Sequence, residues 1–501
     1  MRQADTLLTD LLVLDRTGGD PLHRQLYRQI RGFILDGTLL PGVPLPPSRQ
    51  LAREAGLSRN TVTNAYDQLL SEGLTESRRG SGTHTIDITR SRRTPGSKEQ
   101  PKKAVAAATR VTALAAAPLP GSYFGGDALL PGFPDPEEFP TKVWNRFANR
   151  AGRQLSTLMP DLDICAGYTP LRQMLAQYLR LSRGVRAEPE QIFITAGASQ
   201  SLQLITRALT NAGDTVWLED PAYSVATLSL QLADLAIASV GVDMHGPVPP
   251  QGSGSAPKLI YLTTSYQYPL GVTMPMSRRL QWLDTAQRHN AWLVEDDYDG
   301  EFRYHGDPIP ALAGLLDNDR TLYMGTFSKV LSPTLRMSYL VVPPAAVETI
   351  RQVYPMLGNE SSIVTQAVLA EFIGSGHFSK HIKRMRALYG ERREALELAL
   401  ARYAGLVNPG QKMTPGGLHI PVGVNKSDTG VLPDMIAAGL GCVPLSTYYL
   451  ANPPQQGFLL GFTSRKPEVI TESVQTFANI LDRRKVSTKI VHSPNATGNR
   501  D

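Results

Sequence analysis

Short apolar runs alternate with helical patterns through the middle of this 501-residue chain, and this alternation constrains the fold more than any other feature. Strands that alternate with helices form a mostly parallel sheet, because each helix carries the chain back across a face of the sheet. We therefore expect a large α/β domain with helices on both faces. The runs that predict its strands are QIFIT (191–195), DTVWLED (214–220), KLIYLTT (258–264), AWLVEDD (291–297) and TLYMG (321–325).

A smaller α+β subdomain is expected at the C-terminal end of this domain. From about residue 377 a long helical pattern, GHFSKHIKRMRALYGERREALELALARYAG, precedes several short strand-like runs. The polar residues 485–501 predict a disordered tail.

The N-terminal region carries a different pattern, with helical signals in residues 21–37, 41–56 and 57–73 that each end at a glycine. We expect Ser48 and Ser58 to cap the second and third helices, because a serine hydroxyl accepts a hydrogen bond from the first turn. Two short helices joined by a tight turn indicate a helix-turn-helix. In the third helix the residues expected to face inward are Val62, Tyr66, Leu69 and Leu70.

The excess positive charge lies in the same region. The net charge is +6, and residues 1–110 hold 17 Lys and Arg against 11 Asp and Glu, whereas the remainder holds 34 of each. A basic segment joined to a neutral body suggests a polyanionic partner, most simply nucleic acid. A solvated basic tail is the alternative that charge alone leaves open. The run LTESRRGSGTHT (74–85) adds a predicted β-hairpin with basic residues at its tip.

These elements supply candidate DNA contacts. A recognition helix presents its first turn to base edges in the major groove, while flanking basic residues hold phosphates or reach into the minor groove. A solvated helix face is the alternative for any one of these residues. The candidates are Ser58, Arg59, Asn60, Thr61 and Asn64 on the third helix, Arg49 on the second helix, and Arg78, Arg79 and Gly82 in the hairpin.

Three features of the α/β region point to a phosphorylated aldehyde cofactor. Lys329 follows a short apolar strand, and the acidic cluster around Asp296 ends another strand, which is costly unless a positive charge lies nearby. Residues 191–209 read as strand, glycine turn and helix N-terminus, a geometry that holds phosphate. A lysine for the aldehyde, a carboxylate for the ring nitrogen and a phosphate cradle are what pyridoxal phosphate (PLP) requires.

Residues 21–85, with PPSRQLAREAGLSRNTVTNAYDQLLSEGL followed by RRGSGTHT, resemble the winged helix-turn-helix of the GntR family of bacterial repressors. Residues from about 163 to 480 resemble the fold-type I aminotransferases. The segments GYTPLR, EDPAY, YPLGVTM, EDDYDGEFRY, GTFSKVL and GHFSKHIKRMR match the branch fused to GntR heads, the MocR subfamily.

The resemblance implies a role for each cofactor residue. Lys329 would form the Schiff base with PLP, Asp296 would pair with the pyridine nitrogen, and Tyr298 would hydrogen-bond the phenolic oxygen. Tyr223 would stack on the ring. The phosphate would be held by Ala198, Ser199, Thr326, Ser328 and Arg336.

The chain departs from the family at three positions. Tyr266 stands where the family has a histidine, and Tyr268 stands where aminotransferases have an asparagine. Aminotransferases also carry a late-strand arginine that binds the substrate carboxylate. Leu459 occupies that place here, and Arg465 is near it only in sequence, so the expectation of productive transamination is weakened.

The leading hypothesis is a regulator whose winged helix (15–86) binds promoter DNA and whose aminotransferase-like domain (121–484), after a linker (87–120), senses PLP or an amine or amino-acid ligand. A homodimer is expected by the same resemblance. The alternatives are an aminotransferase with an accessory DNA-binding head, and a DNA-binding protein that has lost the cofactor.

The sequence also limits where the chain acts. Cys165 and Cys442 cannot form a disulfide framework or a metal cluster. We read no signal peptide in the acidic N-terminal stretch and find no apolar run long enough for a membrane span. A cytoplasmic protein without a metal site is therefore expected.

Overall fold

The computed structural model describes residues 8–9, 11–16, 19–78, 82–86, 128–251, 255–306, 309–315, 319–358, 361–402 and 415–489. The chain divides into two compact units, Met1–Ala106 and Ala107–Asp501. The linker expected at 87–120 lies outside the described residues, as does Arg79.

The N-terminal unit is a winged helix-turn-helix, as the sequence predicts. Its two strands are antiparallel, with Thr75 opposite Thr85. The elements are α1 (Leu22–Leu35), α2 (Ser48–Glu54), α3 (Arg59–Ser71), β1 (Thr75–Arg78) and β2 (Gly82–Thr85).

The third helix buries the face that the sequence predicts, except at one position. Val62, Tyr66 and Leu69 are buried as expected, but Leu70 is 44% exposed, because one further residue turns the side chain by about 100° around the helix.

The two predicted helix caps have different outcomes. Ser58 caps α3, and its Oγ accepts a hydrogen bond from Thr61 N at 3.1 Å. The expected Ser48 cap is wrong. Proline occupies the N-cap position before α2, which leaves Ser48 as the first helical residue without a capping bond.

The second unit is built on an eight-stranded sheet that confirms all five predicted strands. It follows a short pair, β3 (Leu162–Asp163) and β4 (Gly167–Tyr168). The strand order is β5-β12-β11-β10-β9-β6-β7-β8, and the pairs among β7, β6, β9, β10 and β11 are parallel. The strands are β5 (Ile192–Thr195), β6 (Thr215–Asp220), β7 (Ala236–Asp243), β8 (Gly246–Pro247), β9 (Leu259–Leu262), β10 (Trp292–Asp297), β11 (Thr321–Thr326) and β12 (Ser338–Val341).

Helices cover both faces of this sheet. Phe193 and Ile194 are adjacent on β5, are fully buried, and belong to two different cores, because successive strand residues point to opposite faces. The helices are α4 (Thr141–Arg153), α5 (Leu155–Leu158), α6 (Thr169–Arg183), α7 (Ala198–Leu209), α8 (Ser224–Leu232), α9 (Met276–Arg288), α10 (Pro344–Leu357) and α11 (Ile363–Gly374). Single 3-10 turns lie at Pro136–Glu138, Met159–Asp161, Pro189–Gln191, Leu312–Gly314, Pro333–Leu335 and Leu445–Tyr448.

A smaller α+β subdomain completes the unit, with a four-stranded sheet ordered β14-β15-β13-β16. The expected tail is partly wrong, because Thr488 pairs with Val424 on β13 and Val486 is buried. Residues 490–501 lie outside the described part. The elements are α12 (His377–Arg402), β13 (His419–Val424), α13 (Asp428–Ala437), β14 (Val443–Pro444), β15 (Gly457–Gly461), α14 (Pro467–Arg483) and β16 (Thr488–Lys489).

Among the described residues, none of the helices is both long enough and apolar enough to cross a membrane.

Candidate functional site

The candidate site lies where β5, β10 and β11 end at one edge of the large sheet. β10 and β11 are parallel neighbours, with Asp297 opposite Gly325, so their carboxyl ends meet. Asp296 lies at the end of β10, Thr326 ends β11, and α7 begins at Ala198 just after β5. Ligands of α/β sheets bind in the crevice at this edge.

A cavity of about 670 Å³ opens there. Every cofactor residue predicted from the sequence lines it, although these residues come from four separate segments of the chain. They are Ala198, Ser199, Tyr223, Asp296, Tyr298, Thr326, Ser328, Lys329 and Arg336. The sequence did not assign the other lining residues, Pro131, Gly132, Ala196, Gly197, Gln200, Gln203, Val225, Tyr268, Pro333 and His419.

Lys329 lies in this cavity, and its Nζ donates to the Gly132 carbonyl at 2.8 Å. Burial lowers the pKa of Lys329, whereas the Asp299 and Asp296 carboxylates oppose that shift. A Cβ on Gly132 would stand 3.1 Å from Nζ, so glycine leaves room for the amine. A lysine with a lowered pKa offers more of the neutral amine that reacts with an aldehyde.

The acidic cluster of β10 separates into three environments. Asp297 forms a buried ion pair with Arg183 at 2.7 Å. Glu295 lies 3.7 Å from Arg279 and also accepts backbone N–H bonds from the turn at residues 312–313. The positive charge expected from the sequence is therefore present in two arginines, and Asp296 is the member of the cluster that faces the cavity.

Asp296 is 4% exposed, and its Oδ2 accepts from the Tyr261 hydroxyl at 2.5 Å. Burial raises the pKa of Asp296 to about 6; the Tyr261 bond and the Lys329 charge oppose the rise, and Asp297 adds to it. At neutral pH this carboxylate is mainly ionised, so it can pair with a protonated ring nitrogen.

Aromatic rings form one wall of the cavity, with Tyr268 at their centre. The Tyr268 ring makes edge-to-face contacts with Tyr223, Tyr298 and His419 at centroid distances of 5.4, 5.6 and 5.3 Å. The Tyr298 hydroxyl donates to the Tyr266 carbonyl at 3.0 Å. A flat ring could lie against this wall. The sequence marked Tyr268 only as a departure from the aminotransferase pattern and gave no signal for His419, which reaches the cavity from a separate segment.

Another group of lining residues suits an anion. Helix α7 begins after Gly197, whose φ of +127° favours glycine and which has no side chain that could cap the first turn. Its N–H groups can therefore bind phosphate. Arg336 lines the same cavity with a left-handed φ of +48°, a conformation that persists only where its surroundings hold it. Ser338 Oγ donates to Thr326 Oγ1 at 2.9 Å and orients that side chain.

Together these groups fit PLP. The cavity offers a lysine amine for the aldehyde, a buried carboxylate for the ring nitrogen, an aromatic wall for the ring, and a helix N-terminus beside an arginine for the phosphate.

The DNA candidates lie on the surface of the N-terminal unit. Arg59, Asn60 and Asn64 are exposed at the start of α3, and Thr61 is half-buried. The Ser58 hydroxyl is within 2.8 Å of the Thr61 hydroxyl as well as capping the helix, so its role within the fold is structural.

The remaining candidates lie on α2 and in the hairpin. Arg49 is exposed on α2. In the hairpin, Arg78 is exposed and pairs with Glu76 at 2.6 Å, a contact that a DNA phosphate would have to replace. Gly82 begins β2 with a φ of +90°.

Comparisons with known proteins agree with this arrangement. Residues 22–84 match the model of the bacterial regulatory proteins of the gntR family, and residues 150–418 match that of aminotransferase class I and II.

Two curated relatives align along nearly the whole chain. A probable rhizopine catabolism regulatory protein, MocR, of Rhizobium meliloti is 36% identical and covers 93% of this chain and 95% of its own. The pyridoxine biosynthesis transcriptional regulator PdxR of Corynebacterium glutamicum is 32% identical over 93% of this chain and 97% of its own.

A solved kynurenine aminotransferase of Pyrococcus horikoshii is similar in structure to this chain. It has a TM-score of 0.64 and 27% identity, and it covers 72% of this chain and 91% of its own.

Fold and site together define a transcriptional regulator in which a GntR-type DNA-binding domain is joined to an aminotransferase-like domain. The chain belongs to the MocR-type regulators of the GntR family.

Proposed function

We propose that the cavity of the second unit binds PLP, and that PLP, or a primary amine that reacts with it, controls DNA binding by the N-terminal unit. The observation that carries this proposal is the convergence of all nine predicted cofactor residues on one cavity. The PdxR relative, named as a regulator of pyridoxine biosynthesis, supports a B6 vitamer as a signal.

Each residue has a distinct role in holding the cofactor. When bound, PLP supplies an aldehyde that combines reversibly with primary amines. Lys329 would supply the protein amine, and Asp296 would pair with the ring nitrogen. Tyr223 would pack on the ring, and Tyr298, whose hydroxyl donates to the Tyr266 carbonyl in this structure, would hydrogen-bond the phenolic oxygen.

A second set of residues would hold the phosphate. These are Ala198 and Ser199 at the start of α7, through their N–H groups, and Thr326 and Ser328, all of which line the cavity. Arg336 supplies the positive charge.

The N-terminal unit reads DNA in the major groove. Arg59, Asn60, Thr61 and Asn64 contact base edges, while Arg49 and the hairpin residues Arg78, Arg79 and Gly82 hold the phosphate backbone. Ser58 fixes the first turn of the recognition helix.

We further propose that the regulator acts as a homodimer in the cytoplasm, because two heads read paired half-sites. Its functional divisions are the DNA-binding domain at 15–86 and the cofactor domain at 121–484. Transamination is not proposed as a second function, since the resemblance places Leu459, which is buried, where aminotransferases have the arginine that binds a substrate carboxylate.

The proposal is tested by the visible absorption spectrum of the full chain with added PLP. We expect a new absorption band in the parent that is lost in Lys329→Ala, because the band requires a covalent bond to that amine. Lys383→Ala, an exposed lysine on α12, is the matched control and keeps the band. A parent protein whose spectrum is only that of free PLP contradicts the proposal.

A further inference from the structure

A loop of the small subdomain is bound to the large sheet at the carboxyl end of β6. This loop, the strap, consists of residues 445–452 between β14 and β15. Asp220 is the last residue of β6, and its Oδ1 accepts a hydrogen bond from Leu450 N at 2.8 Å. Its Oδ2 accepts from Ala451 N at 2.9 Å and from Asn452 N at 2.8 Å. One carboxylate therefore binds three successive backbone N–H groups of the strap.

The environment of Asp220 makes these bonds strong. The side chain is fully buried, and a buried carboxylate is costly unless its oxygens are hydrogen-bonded. Hydrogen bonds to an ionised acceptor are also stronger than bonds between neutral groups. Two further bonds join the same segments: Asn452 Nδ2 donates to the Asp220 carbonyl at 3.3 Å, and Ala222 N donates to the Tyr448 carbonyl at 3.1 Å.

The other end of the strap is fixed within the small subdomain. Asp428, at the start of α13, is also fully buried. Its Oδ2 accepts from Ser446 N at 2.9 Å, and its Oδ1 accepts from the Ser446 hydroxyl at 2.5 Å. The strap is therefore held by one carboxylate from the large sheet and one from the small subdomain, and Tyr448 lies between the two attachments.

Tyr448 connects the strap to the aromatic wall of the cavity. Its hydroxyl lies 3.0 Å from the Tyr268 hydroxyl, and the two rings meet edge to face with centroids 5.3 Å apart. Tyr268 lines the cavity and contacts Tyr223 and Tyr298, whereas Tyr448 is not among the described lining residues. An effect of Tyr448 on a ligand in the cavity therefore passes through Tyr268.

We propose that Asp220 is a positioning residue for PLP. It fixes the strap, the strap holds Tyr448 against Tyr268, and Tyr268 sets the aromatic wall beside the PLP ring. This inference rests on the proposed function, because it requires that the cavity binds PLP. By thermodynamic linkage, bound PLP stabilises the strap in return, so occupancy of the cavity is felt in the small subdomain.

A double-mutant cycle tests this, because it separates residues that act as one unit from residues that act independently. Asp220→Asn keeps the shape of the side chain but turns one of its two acceptors into a donor. Tyr448→Phe removes only the hydroxyl that meets Tyr268. The dissociation constant for PLP is measured by absorbance titration in the parent, the two single variants and the double variant. The visible circular dichroism of each PLP-bound protein is recorded as well.

We expect each single variant to weaken PLP binding by about three- to tenfold, the effect of a lost hydrogen bond. The visible dichroism should also change in each, because it reports how the bound ring is set, while the absorption band stays since Lys329 is unchanged. We expect the double variant to bind PLP no more weakly than Asp220→Asn, because both changes break the same connection. A role of Asp220 in stability alone would leave the two effects independent.

Asp243→Asn is the matched control. Asp243 ends β7, the neighbour of β6 in the sheet, and it is also a hydrogen-bonded aspartate. Its Oδ1 accepts from His245 N at 2.7 Å and its Oδ2 accepts from Arg278 at 2.8 Å, and both partners lie outside the strap. We expect this variant to keep the parental dissociation constant and dichroism.

The outcomes separate the two proposals. A parent without a PLP band overturns the proposed function and this inference together. With a normal parental band, this inference alone is overturned if the effects of the two single variants multiply in the double variant, or if Asp243→Asn weakens binding as much as Asp220→Asn. If Asp220→Asn does not fold, Tyr448→Phe decides, and a parental constant and dichroism in that variant overturn the inference.

Discussion

Asp296 and Asp297 differ by one position in the chain and by their whole environment. Successive strand residues point to opposite sides of the sheet. Asp297 is neutralised by Arg183 at 2.7 Å, whereas Asp296 accepts a neutral tyrosine hydroxyl and faces the cavity. Asp296 is therefore the carboxylate of this pair that is available to a cationic ligand atom.

The pH dependence of PLP binding follows from this carboxylate. Burial raises the pKa of Asp296 to about 6, so below that pH the carboxylate is protonated and its attraction for a protonated ring nitrogen is lost. We expect Asp296→Asn to weaken PLP binding by about 10- to 100-fold at pH 8, where the parent is ionised.

At pH 5 the difference between parent and Asp296→Asn should shrink, because both side chains are then neutral. The dissociation constants are measured by absorbance titration from pH 5 to pH 8. Titration of the PLP phosphate affects both proteins equally, so the ratio of the two constants isolates Asp296. A ratio that does not change with pH contradicts this role.

The contacts that link other residues of the site could not be found from the sequence. The motif residues were predictable because they lie at strand ends, where a polar residue after an apolar run has a structural meaning. Tyr268 and His419 belong to segments that are distant in the chain, and their ring centroids lie 5.3 Å apart. The residue pattern of neither segment predicts this contact. Arg183 and Arg279, which neutralise the acidic cluster, are equally distant in the chain.

The recognition helix α3 depends on its first turn. Ser58 Oγ accepts from Thr61 N at 3.1 Å, and removal of a serine cap costs about 1 kcal/mol. We expect Ser58→Ala to lower the free energy of unfolding of the N-terminal unit by about this amount, measured by denaturant titration. Ser71→Ala, at the far end of the same helix, has a smaller effect. Equal losses in the two variants would contradict the cap.

The exposed face of α3 makes a separate prediction about DNA. We expect Arg59→Ala with Thr61→Ala to weaken binding to a fragment selected from genomic DNA, and to reduce the salt dependence, because a phosphate or base contact to arginine is lost. Arg288→Ala, exposed on α9 of the other unit, is the control. Parental affinity and salt slope in the double variant would exclude α3 as the recognition helix.

The strands of the large sheet could be predicted because one residue pattern identifies each of them. The five strands of the large sheet are almost entirely buried, so an unbroken apolar run identifies each one. The ends of elements depend on finer details. Pro47, and not Ser48, occupies the N-cap position of α2. Thr488, which was expected in the tail, pairs with Val424 on β13.

At the scale of the molecule, the change in residue pattern predicts a DNA-binding domain at 15–86 and a cofactor domain at 121–484, and these bounds stay a prediction. The chain divides into two compact units. A sequence cannot give the free energy that couples them, because coupling depends on how ligands favour alternative arrangements of the whole protein. That coupling is the central claim of a PLP-responsive regulator.

The most direct test is the dissociation constant of the full chain for a selected DNA fragment, measured with and without PLP. We predict that PLP changes this constant by at least about fivefold in the parent, the lower end of typical allosteric coupling, and leaves it unchanged in Lys329→Ala. If the parent shows the visible band of bound PLP and yet binds DNA with the same dissociation constant with and without PLP, the account is contradicted.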